Sequence, residues 1–143
     1  MTTLPRTRTA PEVRVGESLP EVRIEMTPTF IVSSALATRD FQDVHHDRDR
    51  AQAGGSADIF VNILTSTGLA QRYVTDWAGP EALVRGVSVR LGAPCYAHDT
   101  LALFGQVLSR SDDGEFEVEV LGRNGLGEHL RGTVRVALPE GAS

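Results

Sequence analysis

Apolar residues recur along this chain with two periods, one of about two residues and one helical, and the alternation between them predicts its elements. Val22-Arg23-Ile24-Glu25-Met26 alternates apolar and polar, the pattern of a half-buried strand, and Pro28 closes it. Thr29 to Thr38 places Phe30, Ile31, Val32, Ala35 and Leu36 among small residues, which fits a short helix or a buried strand. From Asp58 onward, Ile59, Ile63, Ala70, Val74 and Trp77 recur at helical spacing until Gly79-Pro80 stops the run. This predicts the longest helix of the chain, capped by Ser56 or Asp58. Gly68 falls inside it, where glycine costs about 1 kcal/mol relative to alanine, and close approach to a sheet is the expected reason.

The remainder reads as strands. Val87, Val89 and Leu91 alternate with Ser88 and Arg90, and Leu101, Leu103 and Val107 follow a turn at Ala97-His98-Asp99. Phe116, Val118 and Val120 alternate with Glu115, Glu117 and Glu119, and Thr133 to Leu138 forms a last strand. Asp112-Asp113-Gly114 and Asn124-Gly125-Leu126-Gly127 are the turns expected between antiparallel strands. One long helix followed by hairpins predicts an α+β fold whose sheet wraps the helix. Such a sheet leaves an edge, so pairing with a second copy or a related chain is expected.

Two stretches carry little apolar pattern. Residues 1–20 contain Pro5, Pro11 and Pro20 with interspersed Arg, Thr and Glu, and read as an extended or disordered arm before a single domain over 21–143. Arg48 to Ser56 is polar and ends in the helix-breaking Gly54-Gly55.

Composition narrows the class. At 143 residues the chain makes one domain, and 41% apolar with 23% charged residues is ordinary for a folded protein. A net charge of -5 argues against a nucleic-acid partner, whose phosphates call for a basic patch. Cys95 is the single cysteine, so no internal disulfide forms, and a buried structural role is expected for it. Met1 to Gly16 lacks the apolar run of a secretion signal, and no segment reaches the roughly 18 apolar residues of a membrane span. The cytosol is the expected location.

The candidate chemistry lies in Thr38-Arg39-Asp40-Phe41-Gln42-Asp43-Val44-His45-His46-Asp47, which packs three carboxylates and two imidazoles between apolar segments. Asp40 and His45 are five residues apart, about 500° on a helix, so they share no helical face; a bent loop lets them converge. A carboxylate and an imidazole aimed at one water divide acid and base work, because their reference pKa values of about 4 and about 6.5 bracket the range of easy proton movement. Solvated loop residues, with one His capping a turn, are the alternative reading from spacing alone. His46-Asp47 beside His45 hints at a metal, but adjacent side chains on extended chain diverge and no zinc-like ligand spacing follows, so none is expected. His98-Asp99 and His129 are expected at solvated turns, Tyr73 and Trp77 in the core. Arg85, Arg90 and Arg123 are either rim cations for phosphates or solvated strand-face charges.

Asp40-Phe41-Gln42-Asp43-Val44-His45 resembles the Asp-x-Asn-Pro-x-His signature of the MaoC-like, R-specific enoyl-CoA hydratases, with Asp40 and His45 on the catalytic pair. The run from Thr29 to Pro80 is similar to one branch, the small catalytic subunits of actinobacterial steroid side-chain enoyl-CoA hydratases. The chain departs from the family in two places: Gln42-Asp43 stands for Asn-Pro, and Asn62 for the small Gly that opens the central helix. The resemblance implies a hot-dog fold, a helix over the segment before the motif, and a 2-enoyl-CoA substrate with no separate cofactor. It also implies a larger MaoC-like partner that shapes the acyl pocket, in a heterodimer or heterotetramer; a homodimer remains the alternative.

On this reading Asp40 takes a proton from water, and His45 orients the water and assists protonation at C2. Backbone N–H groups at Val61-Asn62, near the start of the long helix, are expected to hold the enolate oxygen. A straight-chain hydratase or 3-hydroxyacyl dehydratase, a thioesterase, and a non-catalytic hot-dog subunit are the alternatives. Retention of both Asp40 and His45 counts against the last.

Overall fold

The computed structural model describes residues 5–141. Five strands, β1 (Ser18–Glu25), β2 (Leu83–Leu91), β3 (Thr100–Arg110), β4 (Glu115–Asn124) and β5 (Gly127–Ala137), pair antiparallel in the order β1-β3-β4-β5-β2. Three α-helices lie between β1 and β2: α1 (Pro28–Ala37), α2 (Arg48–Ala53) and α3 (Ile63–Ala78). Period-two alternation survives intact in β4, where Phe116, Val118 and Val120 are buried and the intervening glutamates stay at the outer face. Val118 lies opposite Val134 of β5 and Val107 of β3, so three strands contribute to one inner layer.

α3 lies against that layer through Leu69, Ala70, Tyr73, Val74 and Ala78, and a single apolar core joins helix and sheet. Burying a Leu or Val side chain contributes about 1.5–3 kcal/mol, so this face holds the helix far more strongly than propensity does. The Tyr73 hydroxyl donates to the Pro20 carbonyl at 2.7 Å and ties the helix to β1. Gly132 is required where β5 passes β2: a Cβ there would meet the Ser88 carbonyl oxygen at 2.0 Å. A single long helix held in the curve of an antiparallel sheet is the hot-dog arrangement.

Several expectations need correction. The first strand starts at Ser18, not Val22, and as an edge strand it leaves Val22 exposed. Of the two expectations for the arm, extended or disordered, its described part takes the extended one, interrupted by a 3₁₀ turn at Ala10–Glu12, and it packs on the domain: the Arg8 N–H donates to Ala78 at 2.8 Å and that of Ala10 to Pro139 at 2.8 Å, with Ala10 buried. Residues 1–4 of that arm lie outside the described residues. The polar stretch after the motif contains α2, capped by Asp47, whose side chain accepts from the Arg50 N–H, and anchored by buried Ala51.

The long helix begins at Ile63 rather than Asp58, and its cap is Asn62. Residues 59–61 are extended instead, because the Val61 N–H donates to Cys95 and the Ala97 N–H to Ile59, each at 3.0 Å. Ile63, expected inside, is exposed in the first turn. Gly68 faces open space, with nothing within 4 Å of the point a Cβ would occupy, so close approach to the sheet does not explain it. Among the described residues, β1 and β2 form the two edges of the sheet, each paired on one side only.

Candidate active site

The local chain path delivers Asp40 to one point from an unusual helix end. α1 is capped by Thr27, whose side chain accepts from the Phe30 N–H, with Pro28 in the first position. It ends where the Arg39 N–H donates to Leu36 and the Asp40 N–H reaches back to Ala35 at 2.9 Å, the two bonds of a Schellman closure. That closure needs a left-handed residue, and Arg39 supplies it at φ 58. The turn continues as Asp40 Oδ1 accepts from the Gln42 N–H at 3.3 Å, and a single 3₁₀ turn, Asp43–His45, swings His45 back.

His45 is buried, and its Nε2 stands 3.3 Å from Asp40 Oδ2. Its other nitrogen, Nδ1, meets the Phe60 carbonyl oxygen at 2.7 Å. A carbonyl only accepts, so Nδ1 carries its hydrogen and Nε2 is the nitrogen that exchanges a proton. The Phe60 ring stands edge-on to the imidazole, centroids 5.0 Å apart, and limits its rotation. Spacing alone leaves open whether Asp40 and His45 converge; in the structure they do.

Asn62 is the third member. Its side-chain oxygen accepts from the Thr65 N–H at 3.1 Å, capping α3, and its Nδ2 donates to Asp40 Oδ2 at 3.1 Å and to Thr38 Oγ1 at 2.8 Å. Partial burial works to raise the Asp40 carboxyl, but the Asn62 amide, the Gln42 N–H and the charge of His45 outweigh it, and the group lies below the ordinary carboxylate value. Among the described residues no acceptor meets the backbone N–H of Asn62, Ile63 or Leu64, so the start of α3 presents free amides beside the pair. The Val61 N–H is not among them. It is committed to Cys95, which removes Val61 from the expected oxyanion donors and leaves Asn62.

Other candidates separate cleanly. His46 pairs loosely with Asp43 at 3.6 Å, and the described residues hold no group of three or more His, Cys, Asp or Glu side chains suited to a metal ion. His98 is exposed at a turn with φ 73. His129 is not solvated: it is 2% exposed, with Nδ1 at 2.7 Å from the Ala93 carbonyl and Nε2 at 2.8 Å from the Ser66 hydroxyl of α3. Burial pushes its pKa down against the opposing effect of the Ala93 bond. Cys95 is buried and its thiol is pushed up by burial, an inert environment for a nucleophile. Arg85 reaches Glu115 at 3.9 Å, and Arg90 and Arg123 are exposed strand-face charges. Trp77 is half-buried beneath the Arg8 guanidinium, 4.7 Å from its ring centroid.

A separate cleft of about 600 Å3 lies between β1, α1 and α3, lined by Val22, Ile24, Phe30, Leu69, Tyr73 and Trp77 among others. Neither Asp40 nor His45 lines it. Beside the pair itself, Phe41, Ile63 and Leu64 are large apolar side chains left exposed.

Residues 12–128 match the family model described as MaoC like domain. This chain belongs to that family. It is 60% identical over 124 residues to the 3-oxo-4,17-pregnadiene-20-carboxyl-CoA hydratase beta subunit of Mycobacterium tuberculosis, covering 87% of this chain and 95% of that one. Among solved structures, a chain of the ChsH1-ChsH2 complex from Mycobacterium tuberculosis superposes with a TM-score of 0.85 at 60% identity, over 87% of this chain and 98% of that one. The unliganded R-hydratase PhaJ1 from Pseudomonas aeruginosa superposes at 0.86 with 19% identity, over 93% of this chain and 86% of that one, a likeness of fold. The MaoC-like chain thus has the hot-dog architecture that its motif implied.

The residues that spacing does not reveal act through groups every residue owns or through a cap. Phe60 contributes a carbonyl, which no side-chain pattern announces. The Asn62 side chain is signalled in principle by an N-cap residue immediately before an apolar helical turn.

Proposed function

We propose that this chain is the catalytic subunit of an enoyl-CoA hydratase that adds water to a steroid side-chain 2-enoyl-CoA, working with a second MaoC-like subunit. The observation that carries this reading is the convergence of Asp40 and His45, 3.3 Å apart, beside the free amides that open α3. The steroid substrate and the partner are supported by the 60% identity to a pregnadiene-carboxyl-CoA hydratase subunit and to a chain of a two-protein complex.

The chemistry follows from what the thioester requires. Asp40, ionised, takes a proton from water as the oxygen bonds to C3; the C2–C3 π electrons move toward the thioester carbonyl and leave charge on its oxygen. The Asn62 backbone N–H, with that of Ile63 beside it, holds this oxygen at the positive end of α3. His45 Nε2 orients the water and supplies the proton that C2 takes as the enolate collapses. Proton return from Asp40 to Nε2 across their 3.3 Å contact restores the starting state. Both groups act from one side, so hydroxyl and hydrogen add to the same face. No cofactor enters; CoA is part of the substrate.

Phe41, Ile63 and Leu64 flank the pair as exposed apolar side chains, the surface that an acyl group and a second subunit would cover. No helix among the described residues is long and apolar enough to cross a membrane, and with a single cysteine the reading places the protein in the cytosol. The test is hydration of 3-oxo-4,17-pregnadiene-20-carboxyl-CoA by this chain co-expressed with a MaoC-like partner, followed by loss of the conjugated thioester absorbance. Release of free CoA instead would mark a thioesterase and overturn the reading.

A further inference from the structure

Asn62 is 2% exposed, and every polar atom of its side chain is committed. One amide hydrogen goes to Thr38 Oγ1, at the end of α1, and the other to Asp40 Oδ2, while the amide oxygen caps α3 through Thr65. The orientation of this amide is not free. Turning it over would set its oxygen against the Asp40 carboxylate and its NH2 against the Thr65 N–H, replacing attraction by repulsion at both ends. Asn62 therefore connects two pieces of chain that are remote in sequence: the end of α1 with the carboxylate two residues beyond its cap, and the first turn of α3.

We propose that Asn62 is a positioning residue for the hydration: its side chain holds Asp40 ionised and turned toward His45, while its backbone N–H faces the enolate oxygen. This rests on the hydratase reading and deepens it. A neutral donor placed on Oδ2 favours the charged carboxylate without competing for the proton that Asp40 must accept. Because Asp40 is hydrogen-bonded to the side chain of the residue that also carries the oxyanion donor, the separation of base and donor is tied to the geometry of Asn62 through the 3.1 Å bond to Oδ2. The reacting atoms then see a fixed spacing, and misplacement by about 1 Å in such a site costs on the order of a hundredfold in rate.

The discriminating variant is Asn62→Asp, which keeps an N-cap oxygen and nearly the same shape but removes the donor and sets a second carboxylate beside Asp40. In the co-expressed complex with 3-oxo-4,17-pregnadiene-20-carboxyl-CoA, we expect its thermal transition to stay close to that of the wild type. We expect kcat to fall about tenfold or more with KM little changed. The acid limb of kcat/KM should move to higher pH by about one unit or more. A role confined to capping leaves that limb where it is. Should Asn62→Asp show no folding transition, Asn62→Ser, which also caps but is too short to reach Asp40, is read in the same way, with a fall in kcat at unchanged KM as the expected result. Wild-type turnover with an unmoved acid limb in Asn62→Asp, or with wild-type kcat in Asn62→Ser, overturns the role of Asn62 alone. No hydration by the wild-type complex overturns the hydratase reading beneath it.

Discussion

The imidazole Nε2 of His45 lies 3.3 Å from Oδ2 of Asp40, while Nδ1 of the same ring is held by the Phe60 carbonyl at 2.7 Å. The ring is thus oriented from behind by a backbone acceptor and faces the carboxylate with its exchangeable nitrogen. Removing either partner breaks this contact, and loss of the buried His45 ring also leaves the Phe60 carbonyl without its donor.

Asp40→Asn should lower turnover by at least about a hundredfold, the usual cost of deleting an acid-base group, with the thermal transition preserved. His45→Ala should lose a comparable amount. His46→Ala, which removes a ring paired loosely with half-exposed Asp43 at 3.6 Å, should lose little. Initial rates with each purified complex, alongside circular dichroism, decide this; near-normal turnover in Asp40→Asn contradicts the mechanism.

Buried His129 gives the fold its own pH dependence. Its pKa in the folded chain lies below the 6.5 of an unfolded histidine, so the unfolded state binds the proton more readily at intermediate pH. The stability linked to the neutral ring is fully present above about pH 6.5 and is lost as pH falls through that value toward the folded pKa. Melting temperature should therefore decline on acidification below about pH 6.5, and His129→Gln should flatten that decline. An identical slope in the variant would show that other groups govern it.

Two glycines should respond oppositely to alanine. Gly68 lies in α3 with no atom near its missing Cβ, so Gly68→Ala should stabilise the chain by about 1 kcal/mol through helix propensity. Gly132→Ala drives a methyl into the Ser88 carbonyl at the β2–β5 pairing and should destabilise by roughly 1–3 kcal/mol or more. Denaturant midpoints of the two variants, shifted in opposite directions, check both.

The legible parts of this chain are those where local pattern and burial coincide. Phe116, Val118 and Val120 alternate because one face of β4 is buried, and Asp40 and His45 stand out as a charged motif between apolar segments. The start of α3 escapes the pattern because Ile59 follows helical spacing yet belongs to an extended segment held by residues 95–97, a long-range contact that periodicity does not encode. His129 reads as solvated because it follows a hairpin turn closely, but its burial comes from Ser66 on a helix 63 residues earlier. Val61 fails as an oxyanion donor for the same reason: only the tertiary fold reveals that Cys95 takes its N–H.

The most direct test of the central claim is the hydration rate of 3-oxo-4,17-pregnadiene-20-carboxyl-CoA and of a straight-chain 2-enoyl-CoA, each with this chain alone and with its co-expressed MaoC-like partner. Turnover of the steroid thioester by the complex, absent from the single chain and lost in Asp40→Asn, is the predicted result. Turnover of only the straight-chain substrate by this chain alone would contradict the steroid assignment and the need for a partner.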